Sequence, residues 1–323
     1  MIAPAGLTEN VTSYRPDRAE TVLSLDDIRV AYQRPNGQTV NAVDGVSLSL
    51  RAGEILGLVG ESGSGKSTVA KTAVGLVQAN GGSVTIEGHP VDWRRPRREW
   101  RRSVQYIFQD PLGALDPLSR VINQVRAPLD VHGIGRRRER AEMAGRRLTD
   151  ARLNVALHQK KPRSLSGGER QRATIARALA LTPKVLICDE SVSALDVSIR
   201  AHILDLLMDL RSETGVAILF ISHDLSVIHH LCDRVAVMRS GRIVEEGIRP
   251  RSSMHRSMTT RAHCWPLSRQ CRSEAPRPFT WRSWHELDAC PLWPGASDAA
   301  SAGRLQLFRS VRQRRPRPVA SQR

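Results

Sequence analysis

The eight residues Gly60-Glu61-Ser62-Gly63-Ser64-Gly65-Lys66-Ser67 constrain this chain more than any other stretch. They fit the pattern G-x-x-x-x-G-K-[ST]. They also lie between an apolar run, Glu54 to Val59, and a segment, Ser67 to Val77, that reads as a helix. Glycines let the backbone curl so that several N–H groups converge on one phosphate chain, and the helix that follows adds its positive N-terminal end. Lys66 offers a point charge to the β- and γ-phosphates, and the Ser67 hydroxyl is a ligand suited to Mg2+.

The other apolar runs fit a strand–loop–helix architecture. Lys184 to Cys188 reads as a buried strand that ends in Asp189-Glu190. Ala217 to Ile221 reads as another, ending in Ser222-His223-Asp224. Ile199, Ile203, Leu206, Leu207 and Leu210 recur at helical spacing between them. Val235 to Met238 and Arg242 to Glu245, joined through Ser240-Gly241, read as a closing hairpin. Strands that alternate with helices imply an α/β fold with a mainly parallel sheet covered on both faces. From Gly88 to Leu165 the pattern is more helical and rich in Arg, which suits an inserted helical subdomain. Residues 1–20 are polar, hold two Pro and have no periodicity, so disorder is expected there.

A carboxylate at the carboxyl end of a parallel strand faces the ligand crevice. Asp189 is therefore expected to hold Mg2+ opposite Ser67, directly or through water, and Glu190 to polarise an attacking water. His223 reads either as a hydrogen-bonded strand-end histidine or as a sensor of the terminal phosphate. Gln109, in Phe108-Gln109-Asp110-Pro111, is ambiguous in the same way.

Composition excludes several classes. No stretch approaches the roughly 20 apolar residues of a membrane span; the best run, Val216 to Ile221, is short. The N-terminus has no apolar core, so secretion is not expected. Five Cys, an odd number without metal-ligand spacing, argue against a disulfide framework. The net charge of +17 would suit a nucleic-acid binder, but its distribution weakens that reading. Residues 248–323 hold 15 Arg and no Lys against 4 Asp+Glu, a charge of +11 that leaves only +6 for residues 1–247. Four of the six Trp and three of the five Cys share that tail, which marks a boundary near Gly247.

Leu165-Ser166-Gly167-Gly168-Glu169-Arg170-Gln171-Arg172 resembles the signature motif of the ATP-binding cassette (ABC) ATPases. Ser166 lies 100 residues after Lys66 and shortly before Asp189, the order of that family. The resemblance spans about Leu23 to Gly247 and implies a P-loop NTPase core with a mainly parallel sheet. It also implies an N-terminal antiparallel β portion and a helical subdomain over about 90–165, within an ATPase domain of residues 21–247. It implies ATP and Mg2+ as ligands. Tyr32 would stack on adenine, and Gly60, Gly63, Gly65, Lys66, Ser67 and Thr68 would bind the phosphates. Gln109, with Ser67 and Asp189, would serve the metal, and Glu190, His223 and Gln109 would serve catalysis. Ser166, Gly167 and Gly168, opening a helix, would bind the γ-phosphate of ATP held by a second subunit, with Asp196 at the dimer interface.

A finer resemblance is to the ATPases of bacterial oligopeptide and dipeptide importers, carried by Val59 to Thr68, Gln105 to Pro111 and Ser193 to Ser198. Phe-Gln-Asp-Pro followed by Leu115-Asp116-Pro117 is most similar to their second ATPase subunit. The implied partners are a second ABC ATPase subunit, two transmembrane permease subunits and, indirectly, an extracytoplasmic solute-binding protein. The implied place is the cytoplasmic face of the bacterial inner membrane, peripherally, with no nucleic acid. Ser191 departs from the family, which usually has Pro there, and a modest effect is expected. An ABC ATPase acting on nucleic acid or ribosomes typically carries long coiled coils or two cassettes. This chain has one phosphate loop and no sustained heptad. A third reading is an inactive product, should the altered tail prevent folding or assembly.

That tail reads as the product of a shifted frame; the other readings are a genuine basic tail binding nucleic acid or anionic lipid, and ordinary divergence. Started one nucleotide earlier, the codons of Met258 to Arg269 permit H-D-Y-T-R-A-L-L-A-A-V-P, a motif of the kind the family carries after this point. The Asp, both Leu and the first Ala of the Ala pair are forced. Cys264, Cys271 and Cys290 are then accidental and not metal ligands. Sequencing the gene is expected to find the shifted frame open beyond Gly247; stop codons directly after it would exclude the idea.

Overall fold

The computed structural model describes residues 20–33, 37–92, 94–193 and 195–248. The expectations for residues 1–19 and 249–323 lie outside these.

The chain opens with two long strands, β1 (Thr21–Gln33) and β2 (Thr39–Arg51), paired antiparallel. Strand β3 (Ile55–Val59) is buried along its whole length and runs into the glycine-rich loop. Helix α1 (Lys66–Ala73) follows, and it is shorter than the sequence pattern suggests. Gly75 adopts φ 72°, and the Leu76 N–H turns back to the Lys71 carbonyl at 2.8 Å, a left-handed C-terminal stop. Strand β4 (Gly81–Ile86) pairs with β1 and the two-residue β5 (His89–Pro90) with β4, completing an antiparallel sheet ordered β2-β1-β4-β5.

Then come α2 (Arg98–Ser103), β6 (Val104–Ile107), α3 (Pro111–Ala114), α4 (Val121–His132) and α5 (Arg140–Asp150). Helix α6 (Gly167–Leu179) leads to β7 (Val185–Asp189), α7 (Val197–Thr214) and β8 (Ala217–Ile221). Helix α8 (Leu225–Leu231) and the hairpin β9 (Arg234–Arg239) and β10 (Arg242–Ile248) close the described chain. The hairpin turn forms where expected, with Ser240 at φ 48° and Gly241 at φ 81°.

The second sheet has the order β10-β9-β3-β8-β7-β6, parallel except for β10. Strand β6 is a feature that composition hides. It sits inside the Arg-rich, helical-looking stretch, yet pairs in register with β7, Val104 opposite Val185. Four residues flanked by α2 and α3 give no periodic signal of their own.

Side chains alternate across the parallel sheet. Leu56, Leu58, Val185, Ile187, Leu219 and Ile221 share one core with Leu23, Ile28 and Leu48 of the antiparallel sheet and with Val69 and Ala73 of α1. On the other face α8 lies close against β3, where a Cβ at Gly57 would stand 2.9 Å from Cys232 Sγ and 3.1 Å from Ile228. The consequence for the site is positional. The carboxyl ends of β3, β6, β7 and β8 come to one edge, and each is followed by a segment that carries candidate chemistry.

Gly57→Val is expected to overpack the β3–α8 contact and cost about 1–3 kcal/mol of stability, read as a lower midpoint in urea denaturation.

Candidate active site

The glycine-rich loop owes its shape to neighbours as well as to its own flexibility. Gly60 has φ 157°, and a Cβ there would lie 2.1 Å from the Met238 carbonyl oxygen on β9. Gly65, at φ 105°, would place a Cβ 2.2 Å from the Ala42 carbonyl oxygen on β2. No side chain fits either gap. The Gly241 N–H then donates to the Ser64 carbonyl at 3.0 Å, tying the loop to the closing hairpin.

Lys66 is only 4% exposed. Its Nζ donates to the carbonyls of Gly60 and Glu61, each at 2.8 Å, and approaches Ser64 Oγ at 3.4 Å. Burial pulls the ammonium's pKa below its ordinary value; Glu190, Asp189 and Glu61, in that order, push it back up. The charge is thus held inside the loop, facing two carboxylates.

The Asp189 and Glu190 carboxylates stand at the end of β7, and the structure joins them to three of the other expected residues, Ser67, Gln109 and His223. Asp189 Oδ1 accepts from Ser67 Oγ at 3.0 Å. Glu190 is bracketed: Gln109 Nε2 donates to its Oε2 at 2.8 Å, and His223 Nδ1 lies 3.3 Å from its Oε1. Glu190 has φ 46°, a left-handed conformation that costs a non-glycine residue on the order of 1–3 kcal/mol. Its N–H donates to the Ile221 carbonyl at 3.0 Å, and Ser193 Oγ donates to its carbonyl at 2.8 Å, so the backbone is held on both sides.

Local capping positions the partners. Asp110 caps α3 through Leu112 N–H at 2.9 Å and Gly113 N–H at 3.0 Å, with Pro111 at the first helical position, so the segment after Gln109 is fixed. Asp224 caps α8 through Ser226 N–H at 3.0 Å, which fixes the segment that carries His223.

Two residues escaped the sequence reading. Tyr106, on β6, donates its phenolic OH to Asp189 Oδ2 at 2.6 Å. Burial first, and then that bond, push its pKa well above the usual phenol range, so it stays a donor. Its membership in a short, unrecognised strand concealed it. Arg200, on α7, donates to Asp224 Oδ2 at 2.8 Å and to the carbonyls of Ser193 at 3.3 Å and Leu195 at 3.2 Å. It ties the loop after Glu190 to the loop of His223, and nothing in the sequence marks that pairing.

Other expected residues stand apart. Among the described residues, no hydrogen bond joins Tyr32, Ser166, Gly167, Gly168 or Asp196 to the Lys66–Asp189–Glu190 group. Tyr32 is 43% exposed near the end of β1. Thr68 lies in the first turn of α1, where its carbonyl accepts from Thr72 Oγ1 at 2.9 Å. Asp196 is exposed at the start of α7 and caps no N–H with its side chain. Ser166 opens α6 in a capping box: its N–H donates to Glu169 Oε2 at 2.7 Å and its Oγ accepts from Glu169 N–H at 3.3 Å. The Ser166 N–H, expected to serve an external phosphate, is therefore committed to Glu169, while the cap leaves the N–H groups of Gly167 and Gly168 untouched. Gly168 also has a packing role, since a Cβ there would lie 2.5 Å from Ile199 Cγ2.

The donors fit a hard cation. Among the described residues no cluster of three or more His, Cys, Asp or Glu could hold a metal alone. A hydroxyl and a carboxylate, Ser67 and Asp189, are the pattern of a small divalent ion that takes its remaining oxygens from phosphates and water.

Known proteins resemble this chain in sequence and in fold. The family described as "ABC transporter" matches residues 43–193. A Brucella abortus protein provisionally named a peptide import ATP-binding protein is 43% identical over 258 residues, covering 77% of this chain and 77% of its own length. The glutathione import ATP-binding protein GsiA of Escherichia coli O6 is 48% identical over 212 residues, 65% of this chain and 34% of GsiA. The solved ATP-binding cassette MJ0796, a dimer in a post-hydrolysis state bound to ADP and Pi, superposes with a TM-score of 0.64 at 29% identity, covering 71% of this chain and 99% of that one.

Lys66→Met keeps the apolar stem and removes the charge. It is expected to weaken binding of a nucleoside triphosphate by about tenfold or more in calorimetric titration, since hydrogen bonds to charged groups are worth roughly 1.5–3 kcal/mol.

Proposed function

The chain belongs to the ABC transporter family, and on that premise we propose that it is the ATP-binding and ATP-hydrolysing subunit of an importer for peptides or related solutes. The observation that carries this reading is the bracketing of Glu190 by Gln109 and His223, beside an Asp189 bonded to the loop serine.

The loop N–H groups and Lys66 hold the phosphate chain, and Tyr32 lies against the adenine. Ser67, Asp189 and Gln109 would hold Mg2+, which when bound would supply positive charge to the phosphate oxygens. Glu190 polarises the attacking water. Gln109 and His223 hold its two oxygens so that the carboxylate presents one orientation, and His223, more than half exposed, can also meet the terminal phosphate. Fixed donors and acceptors at the reacting oxygen lower the barrier because they need not reorganise.

One protomer holds half of the machinery. Gly167, exposed, and Gly168, buried, open a 13-residue helix and supply N–H groups to the γ-phosphate held by a second subunit, and Asp196 lies at the shared seam. ATP thereby joins two cassettes, and hydrolysis releases them. The cassette pair drives two membrane permease subunits from the cytoplasmic face of the bacterial inner membrane, with a solute-binding protein delivering cargo on the far side. No helix among the described residues is long and apolar enough to cross a membrane. The domain runs over 21–247, and the residues beyond it stem from a shifted frame.

Glu190→Gln is expected to reduce ATP turnover by about a hundredfold or more, while MgATP binding and MgATP-dependent pairing persist. Turnover would be measured by phosphate release and pairing by light scattering, with the partner ATPase present. Undiminished turnover would remove Glu190 from its role. Uptake of labelled peptide by vesicles containing the permease subunits tests the transport assignment, and ATP hydrolysis without peptide stimulation would count against it.

A further inference from the structure

Resting on the reading of Asp189 as the metal-holding carboxylate, we propose that Tyr106 is a positioning residue for it, its hydroxyl fixing the plane of the carboxylate that faces the nucleotide's Mg2+.

The two oxygens of Asp189 have different donors, Ser67 Oγ on Oδ1 at 3.0 Å and Tyr106 OH on Oδ2 at 2.6 Å. One donor would leave the carboxylate free to swivel about its last bond; two donors on different oxygens stop it. The Tyr106 bond is in the short range of O–H···O⁻ contacts, the stronger kind. Both donors have fixed origins. Ser67 is in the first turn of α1, and Tyr106 is on β6, paired with Ile187 two residues before Asp189. Phe108 packs against the Tyr106 ring, centroids 4.7 Å apart at 59°, and keeps the phenol aimed along the strand end. A phenylalanine would fill the same space, so the hydroxyl is the part that packing does not require. The same short segment carries Gln109, whose amide holds Glu190. One strand end thus steadies both carboxylates.

The test compares the full chain with Tyr106→Phe, Asp189→Asn and the double variant. A fluorescent ATP analogue is titrated with Mg2+ and, separately, in EDTA, and each variant is melted. Tyr106→Phe is expected to raise the Mg2+ concentration for half-maximal binding roughly tenfold, the low end for losing a hydrogen-bond partner of a metal ligand. Affinity in EDTA should be unchanged, and the effect should vanish in the Asp189→Asn background. An unchanged or lower Mg2+ requirement, an equal shift with Asn at 189, or a lower melting temperature alone would overturn the proposal. Those results leave Asp189 itself in place. Its own reading fails separately, and takes this proposal with it, if the parent protein and Asp189→Asn respond to Mg2+ identically.

Discussion

A buried ammonium group sets the terms for this molecule. Taking a lysine charge out of water is costly unless oxygens surround it. Lys66 meets that need with the carbonyls of Gly60 and Glu61 and with three carboxylates, Glu190, Asp189 and Glu61, within electrostatic reach. The loop must therefore curl, which places glycines where strands of both sheets press on it. Asp189 and Glu190 must lie at the end of a nearby parallel strand, and the order β9-β3-β8-β7-β6 puts them at the end of β7, one strand beyond β8 from the loop.

Division of labour between Asp189 and Glu190 follows from their surroundings. Asp189 is buried and takes two hydroxyl donors; Glu190 is turned by its left-handed backbone toward an amide and an imidazole. Adjacent in sequence, they present different faces because the strand ends between them. The positive φ of Glu190 is the physical means of that separation, and the bonds from its N–H to Ile221 and from Ser193 to its carbonyl hold it.

Much of this was legible in the sequence, and what was not has identifiable causes. The runs at 55–59, 185–189 and 217–221 are continuous and apolar because each strand is covered on both faces, and such runs announce themselves. Lys66, Ser67, Asp189 and Glu190 could be named because they stand at the ends of recognisable strands, whereas the roles of Gln109 and His223 came from the family resemblance. Strand β6 could not, because four residues in an Arg-rich stretch carry no period, and Tyr106 was overlooked with it. Arg200 was hidden for another reason: its partners are carbonyls and a capping carboxylate brought to it only by the packed fold. The early end of α1 depended on a single glycine, and a pattern of apolar spacing is blind to backbone handedness.

The walls of the phosphate loop have a consequence for how the protein is born. Gly60 to Ser67 leave the ribosome early, together with the β2 strand that presses on Gly65. The Met238 carbonyl against Gly60 and the Gly241 N–H on Ser64 emerge only after almost the whole described chain has been made. A nascent cassette therefore carries the letters of its glycine-rich loop long before that loop has its walls. The loop is walled in by a turn that does no chemistry, so its finished shape waits on the last hairpin.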